Sequence, residues 1–258
     1  MGRPPSTTRP VGLFCGLAVV DVIQLVQAPP GPDDKIVALD QLIAAGGPAT
    51  NAAVAFAALG GRATLAAPVG AGPLAELVRA DLAGTGVELL DCSDRSGGSD
   101  GAGPAPGLSV SSCTITAGTG RRSVISTNAR AAVDTAPLDR YVARAACGQE
   151  TPPDVVLIDG HNPALARAAL DLAARVGALT VMDAGSWKDP AADLPARCDV
   201  VAASARFYPP GPTGSVTAPR DVAHWLLDAG ARGVVITRGA RPALWWCAGG
   251  HDSIAPPQ

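Results

Sequence analysis

The sequence predicts an α/β protein of one domain, residues 1–258, in which helices flank a central, mostly parallel β-sheet and a small antiparallel β lid is attached. Strand-like apolar runs alternate with helix-like runs along most of the chain, an order typical of parallel sheets. Two stretches, at about 35–44 and 108–127, look like strands with no helix between them, and they predict the lid. A content of 47% hydrophobic and 17% charged residues is typical of a globular chain.

The first half of the chain begins with an apolar run at 11–20, which predicts a buried strand. A helix of small residues is expected at 49–59, and a strand at 64–69. Proline at the first turn favours a helix at 73–83, and a short strand is expected at 87–91.

The second half repeats this alternation. Strands are expected at 154–159, 178–183, 199–203 and 233–237, with helices at 163–176 and 220–229. Residues 93–107 and 209–219 are rich in Gly, Ser and Pro and predict loops. Ligands of parallel sheets usually bind at the carboxyl ends of the strands, so candidate site residues are sought there.

Composition excludes several classes of function. The net charge of -3, with no basic stripe, argues against nucleic-acid binding. The six cysteines are scattered and form no CxxC pair, so neither a zinc site nor a redox motif is indicated. The apolar run at 11–20 is too short to cross a bilayer and lacks the layout of a signal peptide, so we expect a cytoplasmic protein without a membrane partner.

The segment GGPATN at 46–51 is the most informative part of the sequence. Gly46 and Gly47 allow the backbone to approach a ligand closely, and a helix begins directly after them. Asn51 can both donate and accept hydrogen bonds with a polyol. A tight turn that leads into a small-residue helix explains the same residues equally well.

Three further positions are candidates for binding. Asp21 ends the apolar run in GLAVVD, where it is either a solvated residue or an acceptor for sugar hydroxyls. In GVVITRGARPALWW a strand ends at Thr237, and the turn that follows contains Gly239; an ordinary β-turn is the alternative. Asp183 ends a strand in VMDAG, where a cap or turn role is an equal alternative.

These segments closely resemble the ribokinase (PfkB) family of carbohydrate kinases, in its ketohexokinase-like or fructokinase-like branch. The resemblance runs from about Val11 to the end of the chain and implies a ribokinase-like fold. By resemblance, the sugar would be bound by Asp21, Gly46, Gly47 and Asn51. The nucleotide would be bound by Thr237 and Gly239. The local sequence after 203 lacks the acid of the family's Asn-x-x-Glu motif, and Asp183 is the candidate to replace it.

The activity that the resemblance implies is transfer of the ATP γ-phosphoryl group to a sugar hydroxymethyl, with Mg²⁺. Small-molecule sugar and ATP are therefore the expected partners, and a homodimer through the β lid is a candidate assembly. The family's catalytic base lies in a Gly-Ala-Gly-Asp motif that we expect beyond Gln258, so no catalytic residue and no metal ligand is assigned. Activity is expected to be impaired without that segment.

Three alternatives stay open. The chain is also consistent with a catalytically inactive sugar-binding remnant or with an incomplete gene model. A dinucleotide-binding protein is suggested by the pattern G-x-G-x-x-A at 70–75, which follows a strand and precedes a helix, with Asp91 at the end of the next strand.

Overall fold

The computed structural model describes residues 9–94, 107–211 and 214–256. Within these ranges the chain forms fifteen strands and five α-helices. The strands are β1 (Val11–Cys15), β2 (Val19–Val26), β3 (Asp40–Gly46), β4 (Arg62–Ala67), β5 (Val87–Asp91), β6 (Val110–Thr116), β7 (Arg122–Ser126), β8 (Val155–Ile158), β9 (Leu179–Ala184), β10 (Val200–Ser204), β11 (Pro210–Gly211), β12 (Gly214–Ser215), β13 (Gly233–Arg238), β14 (Arg241–Cys247) and β15 (Gly250–Ile254). The helices are α1 (Pro48–Ala58), α2 (Pro73–Ala83), α3 (Ala136–Ala146), α4 (Pro163–Val176) and α5 (Pro219–Asp228).

Nine strands form the main sheet, in the order β15-β14-β13-β10-β9-β8-β1-β4-β5. All neighbours from β13 to β5 are parallel, and only the pairs β13–β14 and β14–β15 are antiparallel. The predicted central, mostly parallel sheet is therefore confirmed. The carboxyl ends of its parallel strands all meet at one edge, which we call the carboxyl edge.

The centre of the main sheet is buried on both faces, as parallel sheets require. In β1, Leu13 and Cys15 belong to the apolar cluster that includes α3, α4 and α5, whereas Phe14 belongs to the cluster on the opposite face. Helix α1 packs on that opposite face through Ala49, Ala53 and Ala57. Because these side chains are small and four residues apart, the helix lies close to β1 and β4.

The lid is a second sheet of four strands, in the order β3-β2-β6-β7. The two outer pairs are antiparallel, as expected, but the central pair β2–β6 is parallel. The turn between β6 and β7 contains Gly118 and Gly120, both with positive φ, a conformation that favours glycine.

The expectation of one strand over 11–20 was wrong. The chain leaves the main sheet after Cys15 and begins the lid strand β2 at Val19, so Asp21 lies inside a lid strand instead of ending the first strand. The apolar run continues across the break because both parts are buried, one in each sheet.

Smaller differences concern the loops. Residues 35–39 are not in a strand, and the lid strand on that side is β3. Helix α3 was not predicted, although Leu138, Tyr141 and Ala145 lie on its buried side at helical spacing. Most of the loop expected at 93–107 lies outside the described residues, and the loop at 209–219 contains the short pair β11–β12.

Within the described ranges, no helix has the length and apolar character needed to cross a membrane.

Candidate functional site

The candidate sugar site lies where the chain passes from the main sheet into the lid, at residues 16–18. This junction is held on both sides by hydrogen bonds. The Gly16 amide donates to the Ala66 carbonyl at 3.1 Å, and Asn162 Nδ2 donates to the Gly16 carbonyl at 2.9 Å. Thr50 Oγ1 donates to the Leu17 carbonyl at 3.0 Å. The start of β2, and with it Asp21, is therefore fixed relative to the carboxyl edge.

Asp21 and the two glycines of the GGPATN segment are brought together. A Cβ atom added to Gly46 would overlap the Asp21 carboxylate, and one added to Gly47 would overlap the Leu17 carbonyl oxygen. Gly47 also has φ 106, a conformation that favours glycine. Both glycines therefore have a defined packing reason, in addition to the close ligand approach that the sequence indicated.

Asn51 lies in the first turn of α1, and its amide N–H donates to the Gly47 carbonyl at 2.9 Å. Its side chain is exposed. Among the described residues, neither the Asn51 side chain nor the Asp21 carboxylate takes part in a hydrogen bond or ion pair. Polar side chains without protein partners next to a tightly fixed backbone are suited to binding a polar ligand.

Asp159 is a residue of this region that the sequence analysis missed. It follows β8 directly, is only 1% exposed, and accepts hydrogen bonds from three backbone amides. Leu17 N and Ala49 N donate to Oδ2 at 2.8 and 3.2 Å, and His161 N donates to Oδ1 at 2.9 Å. An acid that directly follows the apolar strand VVLI was the available signal.

Charged groups continue along the carboxyl edge beyond Asp159. Burial raises the pKa of the Asp183 carboxyl, and the charge of Asp159 raises it further while Lys188 opposes this. Burial lowers the pKa of Lys188, against the influence of Asp159 and Asp183. Burial likewise lowers the pKa of His161, with Asp159 acting in the opposite direction. These groups lie at or just after the carboxyl ends of β8 and β9, between the candidate sugar residues and Thr237 of β13.

The candidate nucleotide residues lie farther along the same edge. Thr237 is exposed near the end of β13, opposite Ser204 of β10. Gly239 follows in the turn to β14 with φ 64, and a Cβ there would meet no atom within 4 Å. The turn is therefore open on its outer side. Asp183 lies on β9, separated from β13 by one strand, a lateral distance of about 10 Å.

The described residues do not form a magnesium site by themselves. No group of three or more His, Cys, Asp or Glu side chains within the described ranges could hold a metal ion. Mg²⁺ commonly binds through one or two carboxylates together with substrate phosphates. A magnesium ion bound in this way would take several of its ligands from the phosphates of a nucleotide.

The loop at 70–72 that imitates a dinucleotide fingerprint has a structural partner. Asp91 Oδ1 accepts hydrogen bonds from Val69 N at 3.1 Å and Gly70 N at 3.2 Å. Its Oδ2 lies 2.7 Å from the guanidinium of Arg79. Asp91 thus holds the loop to β5 and to α2.

A cleft of about 640 Å³ opens at the amino ends of β9, β10 and β13, at the opposite edge of the sheet from the candidate sugar and nucleotide residues. Its two arginines are paired with acids: Arg197 with Asp171 at 2.6 Å and Arg232 with Asp199 at 3.3 Å. The cleft offers space but no unpaired charged group among its lining residues, and it lies at the opposite edge from the one where parallel sheets bind ligands.

The family model described as "pfkB family carbohydrate kinase" matches residues 13–258. No curated protein sequence matches the chain.

Three solved structures with similar folds each match 97% of this chain. The ribokinase from Giardia lamblia has a TM-score of 0.74 at 10% identity, with 76% of that chain covered. The microbiome-derived acarbose kinase has a TM-score of 0.73 at 21% identity, with 78% of that chain covered. The Arabidopsis thaliana ribokinase complexed with ribose and ATP has a TM-score of 0.62 at 15% identity, with 78% of that chain covered. At these identities the likeness shows the ribokinase-like fold.

Proposed function

Because the chain belongs to the pfkB family of carbohydrate kinases, we propose that it binds a sugar beside Asp21 and ATP beside the turn after β13. The reaction would be transfer of the ATP γ-phosphoryl group to a sugar hydroxymethyl. The sugar would contact Asp21, Gly46, Gly47 and Asn51, and the nucleotide would contact Thr237, Gly239 and Asp183.

One observation carries this proposal: the Asp21 carboxylate, which has no hydrogen-bond partner within the described part of the chain, is held against Gly46 at the entrance to the lid. A carboxylate can accept hydrogen bonds from two neighbouring hydroxyls of a sugar at once. Gly46 lets Asp21 occupy this place, and the hydrogen bonds of residues 16–18 keep it there.

The order of the strands supports the division into two binding positions. The candidate sugar residues lie next to β1 and the candidate nucleotide residues lie on β13, with β8, β9 and β10 between them. Phosphoryl transfer is catalysed mainly by positioning and by compensation of charge. Lys188 lies in the intervening stretch and can supply positive charge near the transferred group.

The test separates binding from turnover. We expect isothermal titration to detect binding of at least one of D-ribose, D-fructose and acarbose, and binding of ATP with Mg²⁺. A coupled assay would then measure ADP formation that depends on the sugar. Absence of binding by every sugar at millimolar concentration contradicts the proposal.

A sugar-binding protein without phosphoryl transfer is the second candidate. It is favoured by the state of Asp159, the acid of the main sheet nearest to the junction, because three amides occupy its oxygens and burial keeps it from a substrate. Sugar binding without ADP formation in the same two assays would support this candidate.

The dinucleotide-binding alternative makes a different prediction. Asp91 would have to leave the amides of Val69 and Gly70 to contact a ribose, which leaves those amides without their acceptor. We therefore expect no binding of NAD⁺ at millimolar concentration, and measurable NAD⁺ binding would favour the alternative.

We also infer a homodimer through the lid. On the lid face that carries Asp21, one row across the strands is formed by Leu42, Ile23, Cys113 and Val124. Leu42 is 57% exposed and Val124 is 52% exposed. A second copy on this face would cover apolar surface and close the side of the sugar site.

A further inference from the structure

We propose that Asp159 is a positioning residue that sets the geometry of the sugar site by joining the start of the lid to the amino end of α1. The inference rests on the proposed function, because it assigns a role to a residue behind the same site. Asp159 itself is only 1% exposed, so the role assigned to it is indirect.

The first step is that α1 lacks a cap of its own. It begins after Gly47, which has no side chain, and with Pro48, which has no amide N–H. The amide of Ala49 in the first turn donates to Asp159 Oδ2 instead. A carboxylate in this place satisfies an unpaired helix amide and is stabilised by the helix dipole.

The second step is that the same oxygen holds the junction to the lid. Leu17 N donates to Asp159 Oδ2 at 2.8 Å, so one atom links the backbone of residue 17 to that of residue 49. Leu17 leads into the strand that carries Asp21, and Ala49 is two residues before Asn51. One buried atom, Asp159 Oδ2, therefore holds both backbone segments that lead to the candidate sugar-binding residues Asp21 and Asn51.

The chain next to the Asp159 carboxylate leaves room for it only because residue 16 has no side chain. A Cβ on Gly16 would overlap the Asp159 carboxylate, so glycine at this position is required for the link. Thr50 adds a second link in the opposite sense, since its hydroxyl donates to the Leu17 carbonyl. The junction is therefore fixed through both the amide N–H and the carbonyl oxygen of Leu17.

The link also determines what α1 can bind. The carboxylate of Asp159 already lies at the positive end of the helix, so this end is not free to attract a phosphate group. The site beside it is left suited to a neutral polyol, and the anionic nucleotide is directed to the other end of the carboxyl edge.

The experiment compares Asp159→Ala and Asp159→Asn with a matched control, Asp154→Ala. Asp154 lies at the other end of β8 and likewise accepts a backbone amide of β1, that of Val11 at 2.9 Å. We expect Asp159→Ala to raise the Kd of the best-binding sugar among D-ribose, D-fructose and acarbose about tenfold or more, since buried amides lose their acceptor. Asp159→Asn keeps one carbonyl oxygen and should have a smaller effect, and Asp154→Ala should stay within about twofold of the unmodified chain.

Two further readouts distinguish positioning from general destabilisation. In Asp159→Ala the Kd of the sugar should rise by a larger factor than the Kd of ATP, because Asp159 acts on Asp183 and Lys188 only through its charge. Amide hydrogen exchange should accelerate at Leu17 and Ala49 but not in β10 or β13. An unchanged sugar Kd in a folded Asp159→Ala variant, or an equal loss of sugar and ATP affinity, overturns the proposal.

Thr50 provides a second route should Asp159→Ala not fold. Thr50→Val removes the hydroxyl that holds the Leu17 carbonyl, and we expect weaker sugar binding that Thr50→Ser restores. Failure of Thr50→Ser to restore binding overturns the positioning role. If no sugar binds to the unmodified chain, the proposed function fails, and exchange at Leu17 and Ala49 alone decides the link: faster exchange in the variants supports it, and unchanged exchange overturns it.

Discussion

The Asp21 carboxylate lies over the Cα of Gly46, in the space that any side chain at position 46 would occupy. Gly46 is in its turn the last residue of β3, paired with Val19 of β2. The two residues therefore fit each other across the lid, and the position of the carboxylate depends on the absence of a Cβ from its neighbour.

Gly46→Ala is expected to displace Asp21 and raise the Kd of the bound sugar about tenfold, the cost of losing a hydrogen bond to a charged group. Titration calorimetry measures this Kd. Gly249→Ala is the control, because Gly249 is distant from the site, has no positive φ, and a Cβ there would make only an ordinary contact with Cys247. Equal affinities for the two variants would contradict the fit between Asp21 and Gly46.

Asp21→Asn is expected to weaken sugar binding about tenfold to a hundredfold while changing the free energy of unfolding by less than about 0.5 kcal/mol. The reason is that the carboxylate has no hydrogen-bond partner among the described residues, so only a ligand loses by its removal. Calorimetric titration and urea unfolding give the two quantities. Asp40→Asn, on the neighbouring lid strand, should leave both unchanged. A large loss of stability in Asp21→Asn would show that the carboxylate is structural.

Thr237→Val is expected to raise the Kd of ATP several-fold, up to about tenfold, without changing the Kd of the sugar. The replacement keeps the shape of the side chain and removes its hydroxyl, which donates a long hydrogen bond of 3.5 Å to the Ala203 carbonyl. Fluorescence titration with a nucleotide analogue would measure this. Thr114→Val in the lid serves as the comparison, and an ATP affinity equal to that of the unmodified chain places the nucleotide elsewhere.

Asp91→Asn is expected to destabilise the protein by about 1–3 kcal/mol at neutral pH. Burial raises the pKa of Asp91, but hydrogen bonds from the amides of Gly70, Val69 and Ser93 bring it below its ordinary value of 3.8. The charged form is therefore favoured in the folded state, and its contribution is present above pH 3.8 and lost as the pH falls through the lowered pKa.

Urea unfolding at a series of pH values tests this. The difference between Asp91→Asn and the unmodified chain should shrink as the solution is acidified below pH 3.8. Glu88→Gln, on the same strand, is the control and should show no comparable dependence. A difference that grows on acidification has the wrong sign for this explanation.

Leu42→Glu is expected to reduce the mass of the particle in solution from that of a dimer to that of a monomer, since a charge in the apolar row of the lid opposes burial. Light scattering coupled to size-exclusion chromatography measures the mass. Ile254→Glu, an equally polar change on the exposed edge strand β15, should leave the mass unchanged. A monomer for the unmodified chain contradicts the homodimer.

Periodicity was sufficient to predict the parallel sheet and most of its helices, because each of these elements depends on residues close in the chain. The break between β1 and β2 could not be predicted in this way. It depends on Asp159 and Asn162, which hold residues 16 and 17 from the distant end of β8. The sequence around residues 16 and 17 does not indicate partners so distant in the chain.

The candidate site shows the same limit. The GGPATN segment indicated a backbone that approaches a ligand, but not that Gly46 makes room for Asp21 or Gly47 for the Leu17 carbonyl. Those are contacts between elements. Helix α3, in contrast, had a local signal in the spacing of Leu138, Tyr141 and Ala145 that the sequence analysis did not use.

The parallel pairing of β2 with β6 has a consequence for how the protein matures. Val20 pairs with Val110, so the strand that carries Asp21 acquires this neighbour only after a long stretch of chain has been synthesised. Contacts so distant in sequence form slowly, and until then one edge of β2 is open to pairing with other chains. Sugar-binding competence is therefore expected only after β6 has been synthesised, and misfolding is expected to begin at this edge.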